Sequence, residues 1–154
     1  YKIPISVLVV IHTPDLHVLL LERADRPGYW QSVTGSQDAG ETLAQTARRE
    51  VGEETGLDAG AYALFDWRKQ NQFEIYSHWR SRYAPGVTHN TEHVFGLLLP
   101  RALPVTLAAR EHLHYLWLPW PGFDEHRLNS QAIRVSKRVK RWGSRLDLWY
   151  VLFF

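Results

Sequence analysis

Ile5 to Ile11 reads ISVLVVI, an apolar run rich in β-branched residues. Such a run predicts a strand buried on both faces. Thr13-Pro14-Asp15 is a turn signal, and His17 to Arg23 (HVLLLER) predicts a second strand, hairpin-paired with the first. Arg26-Pro27-Gly28 breaks the chain before a short extended stretch, Tyr29 to Thr34. The period then changes. Leu43, Ala44, Ala47 and Val51 recur at helical spacing and predict a helix over Thr42 to Thr55. Thr42 is suited to N-cap it, Gln45 completes a capping box, and Gly56 stands where a left-handed C-cap belongs. Further strands are expected over Ala61 to Arg68, Gln72 to Trp79, Glu92 to Leu99 and Tyr115 to Leu118. Gln131 to Trp142 is basic and predicts a second helix, and the apolar tail WYVLFF calls for a packing surface, another subunit included. The order predicts one mixed α/β domain with helices covering a sheet.

A chain of 154 residues suits a single domain with a real core, and 45% hydrophobic against 22% charged residues excludes a disordered chain. The absence of cysteine excludes disulfides, thiolate metal sites and a thiol nucleophile, and is compatible with a cytoplasmic setting. A net charge of +2 is too small to argue for a nucleic-acid partner; a pocket for an anionic small molecule fits equally well. No leader pattern is visible, and the apolar runs Val7 to Ile11 and Val18 to Leu21 are far shorter than the roughly 20 residues of a membrane span. Neither monomer nor homodimer is indicated.

The segment REVGEETG places Glu50, Glu53 and Glu54 within one helical turn and a half. At about 100° per residue all three border the apolar face instead of lying opposite it. Like charges at this spacing cost roughly 0.2–0.5 kcal/mol per pair. A divalent cation reverses that sign, because clustered carboxylate oxygens are what such an ion prefers. The plain alternative is a solvated acidic face.

The wider segment, GSQDAGETLAQTARREVGEETGL from Gly35 to Leu57, decides between these. A glycine, five residues, Glu41, seven residues, Arg49-Glu50, an apolar residue, any residue, Glu53-Glu54, any residue, Gly56 and an apolar residue fill every fixed position of the Nudix box. The chain resembles the Nudix hydrolases. The resemblance implies the Nudix fold, a mixed β-sheet sandwiched between α-helices, over residues 1–154. It also implies hydrolysis of a diphosphate-linked substrate with Mg²⁺, or Mn²⁺ in its place. On that resemblance Glu50, Glu53 and Glu54 are metal ligands or base, while Arg49 and Glu41 orient them through salt bridges. The ion would offset the substrate's charge and activate water for in-line attack.

Outside the box, SVLVVI, YWQSVTGS, FEIYSH, RYAPGVTHNTEH, EHLHYLWL and NSQAI resemble the branch of the family that acts on dihydroneopterin triphosphate in folate biosynthesis. That resemblance implies substrate contacts at Lys2, Arg23, Thr34, Phe73, Glu74, Ile75 and Tyr76, and a further metal-binding glutamate, a candidate base, at Glu111. An aromatic ring and a carboxylate suit a flat pterin. Each residue also has a plainer reading: Lys2 and Arg23 as surface cations, Glu111 as a loop glutamate, and one alternate pair of Phe73 to Tyr76 as core. Arg80, Arg82 and Tyr83 belong either to a loop near the phosphates or to a charged hairpin. His89, His93, His112 and His114 match no compact zinc spacing. The chain departs from the branch at FDEHRL, where His126 stands near a position the branch fills with serine, and after Ile133. Two alternatives remain: a nucleoside triphosphate pyrophosphatase acting on dATP or damaged nucleotides, and a non-catalytic nucleotide-sensing module. The latter is expected to lack box carboxylates, and none is missing here.

Overall fold

The structure is a computed structural model that describes residues 1–119 and, beyond them, residues 137–138, 141–142 and 145–146. Strand β1 (Ile5–His12) runs through the middle of a mixed sheet. The other strands of the sheet are β2 (His17–Arg23), β3 (Tyr29–Gln31), β4 (Val33–Ser36), β5 (Ala63–Glu74), β6 (His89–Leu98), β7 (His112–Pro119) and β8 (Lys137–Arg138). The sheet order is β5-β6-β1-β2-β3-β8, with β4 pairing β1 and β7 pairing β2. Among the described residues the one parallel strand pair, β1 with β6, runs from Ile5↔Thr91 to His12↔Leu98.

The apolar run in β1 has its explanation here. Val7, Val9 and Ile11 pack in one cluster with Ala47 and Val51 of the helix α1 (Leu43–Thr55), whereas Leu8 and Val10 join Val18, Leu20, Trp30 and Val94 in another. Both faces of β1 are covered, so alternation with polar residues is absent. Among the described residues α1 is the one α-helix, and no helix there is long and apolar enough to cross a membrane.

Several local expectations need correction. The β1–β2 hairpin is short, with His12↔Val18 as its register pair. From Val9 back to Ser6, β4 takes that edge of β1, while β2 pairs with β7 along its length. The two strands expected over 61–68 and 72–79 are instead one strand, β5, followed by a 3-10 turn at Ser77–Arg82. Arg68 adopts a left-handed φ of 54° and donates its N–H to Asp66 Oδ1 (2.8 Å). The resulting bulge shifts register between Asp66 and Lys69 and lets pairing with β6 continue to Glu74↔His89.

The helix expected over Gln131 to Trp142 is contradicted where the structure describes it. β8 pairs with β3, and β9 (Arg141–Trp142) pairs with β10 (Arg145–Leu146). The open edge of β3 presents unpaired backbone groups that a strand can satisfy and a helix cannot. The remainder of that segment, His126, the NSQAI stretch and the WYVLFF tail lie outside the described residues.

Candidate active site

The helix α1 has the expected caps. Thr42 and Gln45 form the capping box, and Gly56, at φ 69°, donates its N–H to Gly52 O (2.9 Å). Its buried face is rotated from the expected one. Ala44 is exposed, and Thr46, Ala47, Val51, Glu54 and Thr55 are buried. The helix packs on β1 through Ala47 and Val51, and the 106–112 loop docks on its C-terminal turn through Thr106 N–H to Thr55 O (2.9 Å) and Ala108 N–H to Glu54 O (3.3 Å). The three glutamates are therefore graded: the side chains of Glu54, Glu50 and Glu53 are 3%, 12% and 59% exposed.

Arg49 is the hub of the acidic cluster. Its Nε and Nη2 donate to the two oxygens of Glu41 (2.7 and 3.1 Å), and Nη1 donates to Glu50 (2.8 Å) and Glu53 (3.2 Å). Nη2 also donates to Ser36 O (3.0 Å). The guanidinium holds the Glu41 carboxyl down to about 2. Glu50 lies across the backbone of Gly35 so closely that a Cβ there would fall 1.7 Å from Glu50 Cδ. Only glycine at that strand position leaves room for the carboxylate.

Burial, opposed by the Arg49 hydrogen bond and reinforced by the charges of Glu54 and Glu53, pushes Glu50 up to about 7. The folded state thus favours the protonated acid. Below an unfolded value near 4.5 both states are protonated and nothing is lost. As pH rises from there through about 7, the unfolded chain releases the proton first and stability falls, by at most about 3 kcal/mol. Metal-free melting curves are expected to record that decline, Mg²⁺ to flatten it, and Glu50→Gln to remove it. Equal pH slopes in the metal-free wild type and variant would contradict this assignment.

Glu54 is gripped from two sides. Thr34 N–H donates to Oε1 (3.3 Å), and the buried His112 ring, with Nε2–H as donor, reaches Oε2 (2.8 Å). Burial raises the Glu54 pKa, and these hydrogen bonds oppose the rise. Glu111, exposed on the loop before β7, comes close enough to add its charge, and the ligand atoms of Glu54, Glu111 and His112 lie within 4.8 Å of one another. Carboxylates converging with one imidazole in this way fit a divalent metal ion. Arg23 sits alongside. Asp25 accepts from its Nε (2.8 Å) and Nη2 (2.6 Å), Gln31 accepts from Nη1 (3.2 Å), and both Glu54 and Tyr76 act on it electrostatically. Arg23 and Thr34 thus lie beside Glu54, and Tyr76 lies within electrostatic reach of Arg23.

The other expected contacts are placed differently. Ile75 is 3% exposed, its N–H donates to Thr88 O, and its carbonyl accepts from Arg80, so it supports the strand end. Phe73 is half-buried on the same side, while Glu74 and Tyr76 point outward. The Glu74 carboxylate is ion-paired with Arg80. Lys2 lines an open cleft of about 660 Å³ that reaches Ser36, Arg49 and Glu50.

The NUDIX domain family matches residues 2–139. This chain belongs to the Nudix family. It is 51% identical over 125 residues to the dihydroneopterin triphosphate diphosphatase of Escherichia coli K12, covering 79% of this chain and 82% of that protein. It is 45% identical over 121 residues to the Haemophilus influenzae protein of the same name, covering 77% and 75%. The solved E. coli dihydroneopterin triphosphate pyrophosphohydrolase superposes with a TM-score of 0.68 over 77% of this chain and 82% of that one.

Two residues of this Nudix site escaped sequence reasoning. His112 was weighed only as a zinc ligand, yet it anchors Glu54 from 58 residues away. Gln31 links Arg23 to Thr34, donating to Thr34 Oγ1 (3.4 Å). For His112 the adjacent Glu111 was the available signal; for Gln31 there was none.

Proposed function

We propose that this Nudix protein is a pyrophosphohydrolase that converts 7,8-dihydroneopterin triphosphate to its monophosphate and pyrophosphate in folate biosynthesis. The observation that carries the reading is the 51% identity to the E. coli diphosphatase, over 82% of that protein. The complete carboxylate set, with Glu111 seated beside Glu54, supports the reaction class.

Glu50, Glu53, Glu54 and Glu111 would hold Mg²⁺, or Mn²⁺ in its place; when bound, the ion supplies charge neutralisation and water activation. The chain's own residues do the rest. Arg49 fixes Glu50 and Glu53, and Thr34 with His112 fixes Glu54. Glu53, Glu54 and Glu111 are the carboxylates offered to the attacking water as proton acceptor. Lys2 and Arg23 bind phosphate oxygens, which suit charge-assisted hydrogen bonds. Thr34 and the Phe73–Tyr76 segment border the substrate, with Tyr76 as the exposed ring and Ile75 as support. The family match over residues 2–139 supports one domain across 1–154. The small net charge of +2 supports a small-molecule partner over nucleic acid, and the lack of cysteine accords with the cytoplasm.

The second reading is a nucleoside triphosphate pyrophosphatase. It is favoured by the Glu74–Arg80 ion pair, which engages the carboxylate expected to read the pterin N–H groups. The test is product analysis with Mg²⁺ and dihydroneopterin triphosphate, run beside dATP. One pyrophosphate per substrate consumed, and faster turnover of the pterin, is the expected result. Release of single phosphates, or preference for dATP, overturns it.

A further inference from the structure

Two arginines leave the turn after β5, and the structure separates their roles. Arg80 is committed: its Nη2 pairs with Glu74, and its Nε donates to Ile75 O (3.1 Å). Arg82 is exposed, and among the described residues its guanidinium has neither a carboxylate partner nor a hydrogen bond. It lines the same cleft as Lys2, Arg49 and Glu50.

The backbone holds Arg82 at that place. Lys2 N–H donates to Arg82 O (2.8 Å), and Lys2 forms a parallel bridge with Tyr83. Two cations thus project from segments tied together by main-chain contacts. Among the described residues the one side-chain hydrogen bond of Lys2 is a long one, Nζ to Ser36 Oγ at 3.5 Å. The acidic groups in the cleft are Asp38 and Glu50, and both face Arg49. Positive charge on Lys2 and Arg82 therefore has no internal counterion among the described residues. The volume of about 660 Å³ is within the usual range for small-ligand sites. Arginine presents a planar fork that matches phosphate oxygens bidentately.

We propose that Arg82, together with Lys2, binds the distal phosphates of the substrate, the part released as pyrophosphate. The inference rests on the triphosphate reading of the site but not on the identity of the ring. A phosphate clamp acts equally on any triphosphate that enters the cleft.

The test compares wild type with Arg82→Ala, Arg82→Lys and Arg101→Ala, the last removing an exposed cation from the far end of β6. Arg82→Ala is expected to raise KM for dihydroneopterin triphosphate and for dATP by the same factor, about tenfold, with kcat changed much less. Arg82→Lys should recover part of the loss. Calorimetry with inorganic pyrophosphate and Mg²⁺ should show binding weakened about tenfold in Arg82→Ala and unaltered in Arg101→Ala. Melting temperatures verify that the variants fold. A twofold or smaller change in both KM and pyrophosphate affinity overturns the proposal. So does a KM effect confined to the pterin, which would mean ring recognition. Failure of the pterin assignment alone leaves the dATP and pyrophosphate readouts intact.

Discussion

Glu54→Gln is expected to lower the rate of pyrophosphate release by about 10³-fold, or about 4 kcal/mol of transition-state stabilisation. Glu54 is the most buried of the box carboxylates and the one joined to Glu111 and His112. Glutamine preserves the shape but removes the charge that a divalent ion requires. It also has one acceptor oxygen, whereas Thr34 N–H and His112 Nε2–H both donate to Glu54. His112 can restore one bond by carrying its proton on Nδ1, which is buried without a partner among the described residues. The folded state should survive, because removing a buried charge offsets that cost. Initial rates, Mg²⁺ titration and thermal melting together check this. Activity within tenfold of wild type would rule out Glu54 as an essential metal ligand.

Arg49→Ala should have the largest effect on stability, a loss of about 3 kcal/mol in the metal-free protein. The change strands Glu41, Glu50 and Glu53, which now share one guanidinium. Glu50, whose side chain is only 12% exposed, loses its cation and is driven further toward the protonated form. Mg²⁺ should return part of the loss by supplying the missing positive charge. Arg49→Lys should be intermediate, because one ammonium cannot span both oxygens of Glu41 while reaching Ser36 O and Glu50. Denaturant titrations with and without Mg²⁺ measure all three effects. A loss below 1 kcal/mol in the metal-free variant would mean that the network is mostly solvated.

The caps of α1, the strands β1, β2 and β6, and the acidic box were legible in the sequence because each is local. Helical spacing, turn chemistry and i,i+4 neighbours act over a few residues, so the chain states them directly. The bulge at Arg68, the strand at Lys137–Arg138 and the rotation of the helix face away from Ala44 were hidden, because each depends on a partner brought by the sheet. The same division holds within the site. The spacing of Glu50, Glu53 and Glu54 along one helix was readable; which of them is buried was settled by the loop that carries Glu111 and His112. That Arg80 is spent on Glu74 while Arg82 opens into the cleft was likewise a matter of tertiary contact. Burial and long-range pairing are properties of the assembled layers, and no window of sequence contains both partners.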